Sequence, residues 1–225
     1  MSHQQEYLDE FLCFEALLPA NISALCDTCE EDGVFHCKDC FRGEAMCRGC
    51  ILQRHADCPL HFLQVCGLLP WSRFTTDSLL KHWNGTFFES TTLTALGNTV
   101  QLGYAPGDPC LVPSGLHDLM VFDLNGVHRV IVRYCHCAAS GDGFSHRIQL
   151  LRARWFPATV VRPSTAFTFQ LLDFFHKLQD HNKCNPYDFY HTIIQRTDNA
   201  GLNPEIVSSL VAQMNKISNI LTVQI

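Results

Sequence analysis

Closely spaced cysteine pairs occupy the first quarter of the chain. Three C-x-x-C pairs lie between positions 26 and 50, and two histidines follow at positions 55 and 61. Two thiolates that are two residues apart on a tight turn can bind the same ion, and zinc sites commonly use this spacing. Eight such ligands make two tetrahedral sites. We therefore predict two zinc ions, held by Cys26, Cys29, Cys37, Cys40, Cys47, Cys50, His55 and His61.

The ligands can be divided between the two ions in two ways. A cross-brace, which short chains usually adopt, lets alternate pairs share a metal. It places Cys26, Cys29, Cys47 and Cys50 on one ion and Cys37, Cys40, His55 and His61 on the other. A sequential arrangement would instead give the first two pairs one ion and the third pair, with the histidines, the second. Cys58 is a spare thiol that could replace one histidine, and buried thiols or disulfides are the alternatives to metal.

A second cysteine constellation lies in the middle of the chain. Cys135 and Cys137 form a C-x-C at the end of a predicted strand, and Cys110 precedes that strand. These three thiols and one histidine would complete a third zinc tetrahedron. The candidate histidines are His117, His128, His136 and His146. Free cysteines are also often small buried apolar side chains, so spacing alone leaves both interpretations open.

Composition favours metal over disulfides. The 225 residues include 13 cysteines, an odd number, and the N-terminus has no basic region and carries acids inside its apolar part, unlike a secretory signal. No apolar run approaches the roughly 18 residues that a membrane span needs. The first 70 residues hold four basic and eleven acidic side chains, whereas the remainder is close to neutral. We expect an intracellular, nuclear protein without membrane association, and no polybasic nucleic-acid footprint is present.

The predicted elements give an α+β fold. Apolar periodicity predicts a helix over residues 5–18, a strand from Phe62 towards a linker, a helical turn near Ser90–Leu96 and a strand at Val100–Tyr104. Alternating apolar positions at Leu119–Leu124 and Val127–Tyr134 flank Asn125-Gly126, which is the strongest short hairpin signal.

The C-terminal third is predicted to be mostly helical. Gln149–Phe156 is predicted to be a strand, Thr165 to cap a helix over 166–179, and Pro186 to open a helix to Arg196. A third helix is predicted after Pro204, with one apolar side formed by Ile206, Val207, Leu210, Val211, Met214 and Ile217. The predicted organisation is therefore an N-terminal helix or tail (1–21), a cross-brace zinc finger (22–66), a hairpin-containing cysteine-cluster domain (67–160) and a set of three helices (161–225).

Longer motifs indicate a family. WNGTFF, LGNTVQLGY, FDLNGVHRVIVRYCHC, QLLRARWFPAT, STAFTFQLLDFFHKLQ and NPYDFYHTIIQRTDNAG occur in this order between about Trp83 and Gly201. This stretch resembles the CxC-type cysteine-cluster domain of KDZ (Kyakuja-Dileera-Zisupton) transposase proteins. The resemblance implies a zinc-chelating module that helps a transposase to engage nucleic acid. It also implies the ligands of the third site, namely Cys110, Cys135, Cys137 and His146.

Two further expectations follow from resemblance. The first cysteine segment is similar to ZZ and B-box zinc fingers, since residues 35–40 and His61-Phe62 match their pattern. The KDZ family continues into a catalytic domain, whereas this sequence stops at Ile225 and its last eleven residues differ from that continuation. We therefore expect a truncated relative that is not an enzyme.

The sequence supports three function classes. A transposase-associated module would contact DNA through Arg147, Arg152 and Arg154 beside Trp155, although solvent-facing arginines and a buried tryptophan would look the same. A peptide reader would use the acidic finger loops to bind histone-like tails or ubiquitin-pathway and chromatin proteins. Those loops contain Asp27, Glu30, Glu31, Asp32, Asp39 and Glu44. A metal-dependent nuclease would place Asp123 with two of the acids Asp118, Asp142, Asp173 and Asp188.

Overall fold

The computed structural model describes residues 3–15, 25–41, 44–65, 90–103, 110–137, 145–182 and 184–197. In these ranges it contains five helices and eight strands. The helices are α1 (His3–Glu15), α2 (Arg48–Arg54), α3 (His146–Arg152), α4 (Phe169–Asn182) and α5 (Pro186–Thr197). The strands are β1 (Phe35–Cys37), β2 (Phe62–Val65), β3 (Ser90–Thr92), β4 (Val100–Gln101), β5 (His117–Asp123), β6 (Gly126–Arg133), β7 (Trp155–Pro157) and β8 (Thr165–Thr168).

The chain forms two compact units, Met1–Gly97 and Asn98–Ile225. The first unit contains an antiparallel sheet in the order β1-β2-β3, and β3 pairs with β2 through Leu63 and Thr91. The residues of β3 therefore complete the zinc-finger sheet, although the sequence assigned them to the next domain. Local pattern could not show this, because strand pairing across 26 or more residues depends on tertiary contacts.

The N-terminal helix α1 confirms the helix predicted in this region. It carries Tyr7, Leu8 and Phe11, whose side chains are all exposed. No helix in the described ranges is long and apolar enough to cross a lipid bilayer.

The second unit is organised around a five-stranded sheet in the order β4-β6-β5-β8-β7. Its centre is the predicted hairpin, in which β5 and β6 pair antiparallel from His117 opposite Val132 to Asp123 opposite Gly126. Gly126 has a φ of 149°, a conformation that favours glycine. The hairpin prediction is therefore confirmed.

Two predicted elements at the C-terminal end of the cysteine cluster differ from the structure. Of the predicted extended run Gln149–Phe156, only Trp155 and Phe156 lie in a strand, β7, whereas its first residues end helix α3, where Gln149 and Leu150 are buried. The predicted cap Thr165 begins strand β8, which pairs parallel with β5. The helix starts four residues later, where the hydroxyl oxygen of Thr168 accepts a hydrogen bond from the N–H of Leu171 (3.2 Å).

Helices α4 and α5 pack on this sheet. Their apolar side chains form one buried cluster with strand residues: Phe122, Val127, Phe167, Leu171, Leu172, Phe175, Phe189, Tyr190 and Ile193. The helices thus belong to the same compact unit as the sheet, although the sequence placed a boundary at 160/161. The helix predicted after Pro204 lies outside the described residues.

Candidate metal centres

The first ligand cluster brings together two segments of the finger. Cys26 and Cys29 lie on the turn before β1, whereas Cys47 and Cys50 lie at the start of α2. The ligand atoms of all four cysteines lie within 4.8 Å of one another. Cys47 occupies the N-terminal cap of α2, and its sulfur accepts a hydrogen bond from the N–H of Cys50 (3.4 Å). The helix start therefore fixes both thiols of the second pair.

The spacing of these sulfurs fits a tetrahedral ion. The Sγ atom of Cys29 lies 3.5 Å from those of Cys47 and Cys50. Zinc–sulfur bonds of about 2.3 Å separate the sulfurs of a tetrahedral site by roughly 3.8 Å. The observed distances need to change by only a few tenths of an ångström.

The second cluster joins the end of β1 to the end of α2. Its members, whose ligand atoms also lie within 4.8 Å of one another, are Cys37, Cys40, His55 and His61. The Nδ1 atom of His61 lies 3.4 Å from the sulfur of Cys37 and 3.5 Å from that of Cys40. The Nε2 atom of His55 lies 3.3 Å from the sulfur of Cys40. Sulfur and nitrogen ligands of one tetrahedral zinc are about 3.6 Å apart, so this set also fits.

His55 is held in the form that binds metal. Its Nδ1–H donates to the carbonyl oxygen of Ile51 (2.9 Å), so that the lone pair of Nε2 faces Cys40. Burial lowers the pKa of His55 and keeps the imidazole neutral. The carboxylate of Asp39 accepts a hydrogen bond from the N–H of Phe62 (2.7 Å), which fixes the Cys37–Cys40 turn next to His61.

The grouping of the ligands is the alternating one. The first and third cysteine pairs lie together, and the second pair lies with the two histidines, as a cross-brace requires. The sequential arrangement would need the first two pairs to meet. Cys58 is exposed and does not belong to either group.

The thiols favour different protonation states. The backbone N–H of Cys47 donates to Cys26 and lowers the pKa of its thiol to about 6. Hydrogen bonding with the side chain of Cys29 raises the pKa of Cys50 to about 12, and burial raises that of Cys37 to about 12. Crowded thiols thus hold protons that a divalent cation would displace.

The third cluster lies at the end of the hairpin. The sulfur atoms of Cys110, Cys135 and Cys137 lie within 4.8 Å of one another, and those of Cys110 and Cys137 are 3.7 Å apart. Backbone pairing brings them together, because the N–H of His136 donates to the carbonyl oxygen of Val112 (2.9 Å). This pairing extends the β6 edge and folds the Cys110 segment against the C-x-C.

Sequence reasoning missed two residues beside the third cluster. The buried side chain of Gln149 makes two hydrogen bonds with the backbone of Cys135. Gly103 has a φ of 87°, and a Cβ atom there would lie 2.8 Å from the Cβ of Cys135. Neither residue is a metal ligand. No motif identifies either one, because each acts through a contact between distant segments.

The predicted fourth ligand of the third cluster is placed elsewhere. The ring of His146 stacks on that of Tyr134, with 3.7 Å between their centroids, and is not part of the converging set. His117 and His136 have their ring centroids 5.5 Å and 6.1 Å from that of His146. The structure therefore groups three thiols of the predicted set of four ligands, because stacking on the hairpin holds the histidine.

Only part of the predicted DNA-binding patch is exposed. The side chains of Arg147, Arg152 and Arg154 are exposed. Trp155 is only 6% exposed in β7 and cannot stack on a base, which corrects that part of the prediction.

The candidate nuclease acids that the structure describes do not form a cluster. The hydroxyl of Thr168 donates to the carboxylate of Asp123 (2.5 Å), and Asp118 and Asp173 make ion pairs with neighbouring cations. Within the part of the chain that the structure describes, the converging groups of potential metal ligands contain only cysteine and histidine. Asp142 lies outside the described residues.

Comparison with known families identifies one segment. Residues 93–201, just under half of the chain, match the model of the CxC2-like cysteine cluster associated with KDZ transposases. The match confirms the predicted resemblance and contains all three thiols of the third cluster. The two clusters of the finger precede it and are compatible with metal binding. Neither the curated proteins nor the solved structures gave a match.

Proposed function

We propose that this protein is a zinc-binding recognition module that acts with a KDZ transposase, because residues 93–201 match the model of the CxC2-like cysteine cluster associated with such transposases. The observation that carries the proposal is the convergence of ligand atoms in three separate clusters, which contain four cysteines, two cysteines with two histidines, and three cysteines. Thiolate and imidazole ligands suit zinc, and closed four-ligand sets such as the two in the finger serve structure. In this proposal zinc holds the recognition surfaces in shape, and the protein catalyses no reaction.

Native mass spectrometry of the full chain, with and without a chelator, tests the metal sites. We expect two tightly bound zinc ions from the finger and a third from the mid-chain cluster. Cys47→Ser should remove a finger ion, whereas Cys110→Ser should remove the third ion and leave the finger loaded. Cys58→Ser is the matched control, since Cys58 lies outside every cluster, and it should lose none. A folded protein that binds no zinc would overturn the proposal.

We propose DNA as the first partner, contacted by the second unit. Arg147 and Arg154 support this proposal because both are exposed and follow the third cluster in sequence. The acidic finger disfavours contact with phosphate, so the binding surface should lie outside it. Arginine contacts with phosphate make affinity depend on salt, with a slope of about −0.9 per phosphate contacted.

A fluorescence anisotropy titration with duplex and single-stranded DNA at several salt concentrations tests this partner. Arg147→Ala/Arg154→Ala should weaken binding about tenfold or more and reduce the salt slope by about 1–2. Arg129→Ala removes an exposed arginine that already pairs with Asp118 and should have little effect. Equal DNA binding by the unsubstituted protein and both variants would show that Arg147 and Arg154 do not contact DNA.

The finger supports a second candidate partner, a basic peptide with a free N-terminus. Four acids on the loop around Cys29 are exposed, and none makes an ion pair with a described residue. These acids are Asp27, Glu30, Glu31 and Asp32. Saturable binding of a lysine-rich peptide that is lost in Asp27→Asn and retained in Asp57→Asn, an exposed control in the same unit, would favour this partner over DNA.

A cleavage assay tests the proposed absence of catalysis. Magnesium-dependent cutting of DNA that disappears in Asp123→Asn would contradict it. We expect no cutting above that variant, because the carboxylate of Asp123 is engaged by Thr168.

A further inference from the structure

The most unusual polar contact of the second unit lies beside the third cluster. Gln149 is a helix residue, yet its side chain is only 2% exposed. Its Oε1 atom accepts a hydrogen bond from the N–H of Cys135 (2.8 Å), and its Nε2 atom donates to the carbonyl oxygen of Cys135 (2.9 Å). One carboxamide thus pairs with both backbone groups of a single cluster cysteine.

The carboxamide of Gln149 makes the two backbone hydrogen bonds at Cys135 that a neighbouring strand would otherwise make. β6 ends at Arg133, and the residues on either side of Cys135 pair with the Cys110 segment: the N–H of Ser114 donates to Tyr134, and that of His136 to Val112. The backbone of Cys135 itself bonds to Gln149. A buried N–H and C=O cost free energy when they are left unpaired, so this side chain holds the first cysteine of the C-x-C in place.

Close packing restricts Cys135 further. A Cβ atom on Gly103 would lie 2.8 Å from the Cβ of Cys135 and 3.3 Å from the Oε1 of Gln149. The cysteine therefore lies between Gly103, which follows β4, and Gln149 on α3. Its sulfur in turn accepts a hydrogen bond from the N–H of Cys137 (3.3 Å). The orientation of one thiol depends on the carboxamide behind it.

We infer that Gln149 is the positioning residue of the third metal cluster, and that it couples metal occupancy there to the placement of α3. Residues behind the ligands orient metal sites, and their loss typically lowers affinity by 10–100-fold. The coupling matters because α3 carries Arg147, so that metal at the cluster would order an arginine proposed to contact DNA. This inference rests on the proposed third zinc site.

Cobalt binding by the full chain tests the inference. Co²⁺ reports thiolate ligands through charge-transfer bands and reports tetrahedral geometry through visible d–d bands, and competition with Zn²⁺ gives affinities. Gln149→Met keeps the side-chain volume and removes both hydrogen bonds. We expect a 10–100-fold loss of affinity and weaker d–d bands at one site of three, with the two finger sites unchanged.

Two further variants separate positioning from general destabilisation. Gln101→Met is the matched control, since the Nε2 atom of Gln101 donates to the carbonyl oxygens of Leu102 and Arg133, and neither acceptor belongs to a cysteine. It should leave all three sites intact. Gln149→Asn keeps the amide on a shorter side chain and should lose about tenfold. It serves as the test if Gln149→Met does not fold.

The outcomes distinguish this inference from the site on which it rests. If the unsubstituted chain binds only two ions, the third zinc site and the inference both fail. If it binds three, and the folded Gln149 variants keep the third affinity within about twofold with unchanged d–d bands, only the inference fails. An equal loss in Gln101→Met would also overturn it, because positioning would then not be specific to Gln149.

Discussion

The two units build their cores from different chemistry. In the finger, three of the nine buried residues of the core cluster are the ligands Cys26, Cys37 and Cys47. In the second unit, the nine buried residues between the sheet and helices α4 and α5 include no cysteine or histidine. Ligand cysteines therefore form part of the core of the finger, whereas the second unit has an apolar core that does not include the third cluster. Metal should determine whether the finger folds, and only local order in the second unit.

Removal of metal should produce the largest difference between the two units. A chelator should unfold residues 25–65 while α4, α5 and the strands beneath them keep their protection. Zinc contributes on the order of 10–16 kcal/mol to small fingers, far more than the short finger core can supply. Hydrogen exchange resolved by segment measures the difference, and added zinc should restore the protection. A finger that stays protected in chelator would contradict the comparison.

A truncation in the apolar core of the second unit tests whether the finger depends on that core. Phe167 is fully buried in the second unit, and Phe167→Ala should lower its free energy of unfolding by about 3–5 kcal/mol. The zinc content of the finger should not change. Phe174→Ala, at a position that is 45% exposed, should cost about 1 kcal/mol or less. Denaturant unfolding followed by the zinc count separates the effects, and loss of finger zinc in Phe167→Ala would show that the units are not independent.

The features that sequence predicted were local ones. C-x-x-C spacing specifies two ligands within one turn, and Asn125-Gly126 specifies a reversal of the chain at one point. Each signal is contained in a few residues, and each proved to be placed as expected. The helices α4 and α5 also appeared, because their apolar stripes repeat with the helical period.

The features that sequence missed depend on distant partners. Thr165–Thr168 forms a strand because β5 offers a parallel edge, although the segment precedes a strongly helical pattern. Trp155 is buried by its place in the sheet, so that its size and neighbouring arginines gave a misleading nucleic-acid signal. The role of Gln149 exists only once α3 lies beside Cys135. Such contacts override local propensity.

Acidity should affect metal binding by the finger. Burial raises the pKa of Cys37 to about 12, and contact with Cys29 raises that of Cys50 to about 12, so both are protonated without metal at neutral pH. Zinc must displace these protons, and its affinity should fall about tenfold per pH unit for each proton released as pH decreases from 8 to 6. Zinc competition and calorimetry in buffers of different ionisation heat measure this, and an affinity independent of pH would contradict it.

The pH dependence of stability has the opposite sign in the metal-free finger. A thiol whose pKa is raised by folding stabilises the fold below its unfolded pKa of about 8.5, and that contribution is lost as pH rises towards the folded value. Residual structure in chelator should therefore decline above about pH 9, whereas the zinc-bound finger gains affinity with increasing pH. A chelated finger that became more ordered in alkali would show that the raised pKa values are wrong.

The smallest effect concerns the hydrogen bonds that close the first unit. Nε and Nη2 of Arg48 donate to the carbonyl oxygen of Leu96 at 3.1 Å and 2.9 Å. Arg48→Met should lower the stability of the finger by about 1 kcal/mol, since water competes for the guanidinium in this partly buried contact. Folding and zinc binding are linked, so the loss should appear as about a fivefold decrease in zinc affinity. Arg54→Met, which removes a surface ion pair with Glu44, should change it less. If Arg48→Met lowered zinc affinity as much as the loss of a ligand cysteine does, the Arg48–Leu96 contact would contribute as much to the stability of the finger as a metal ligand. The contrast between the two units would then disappear.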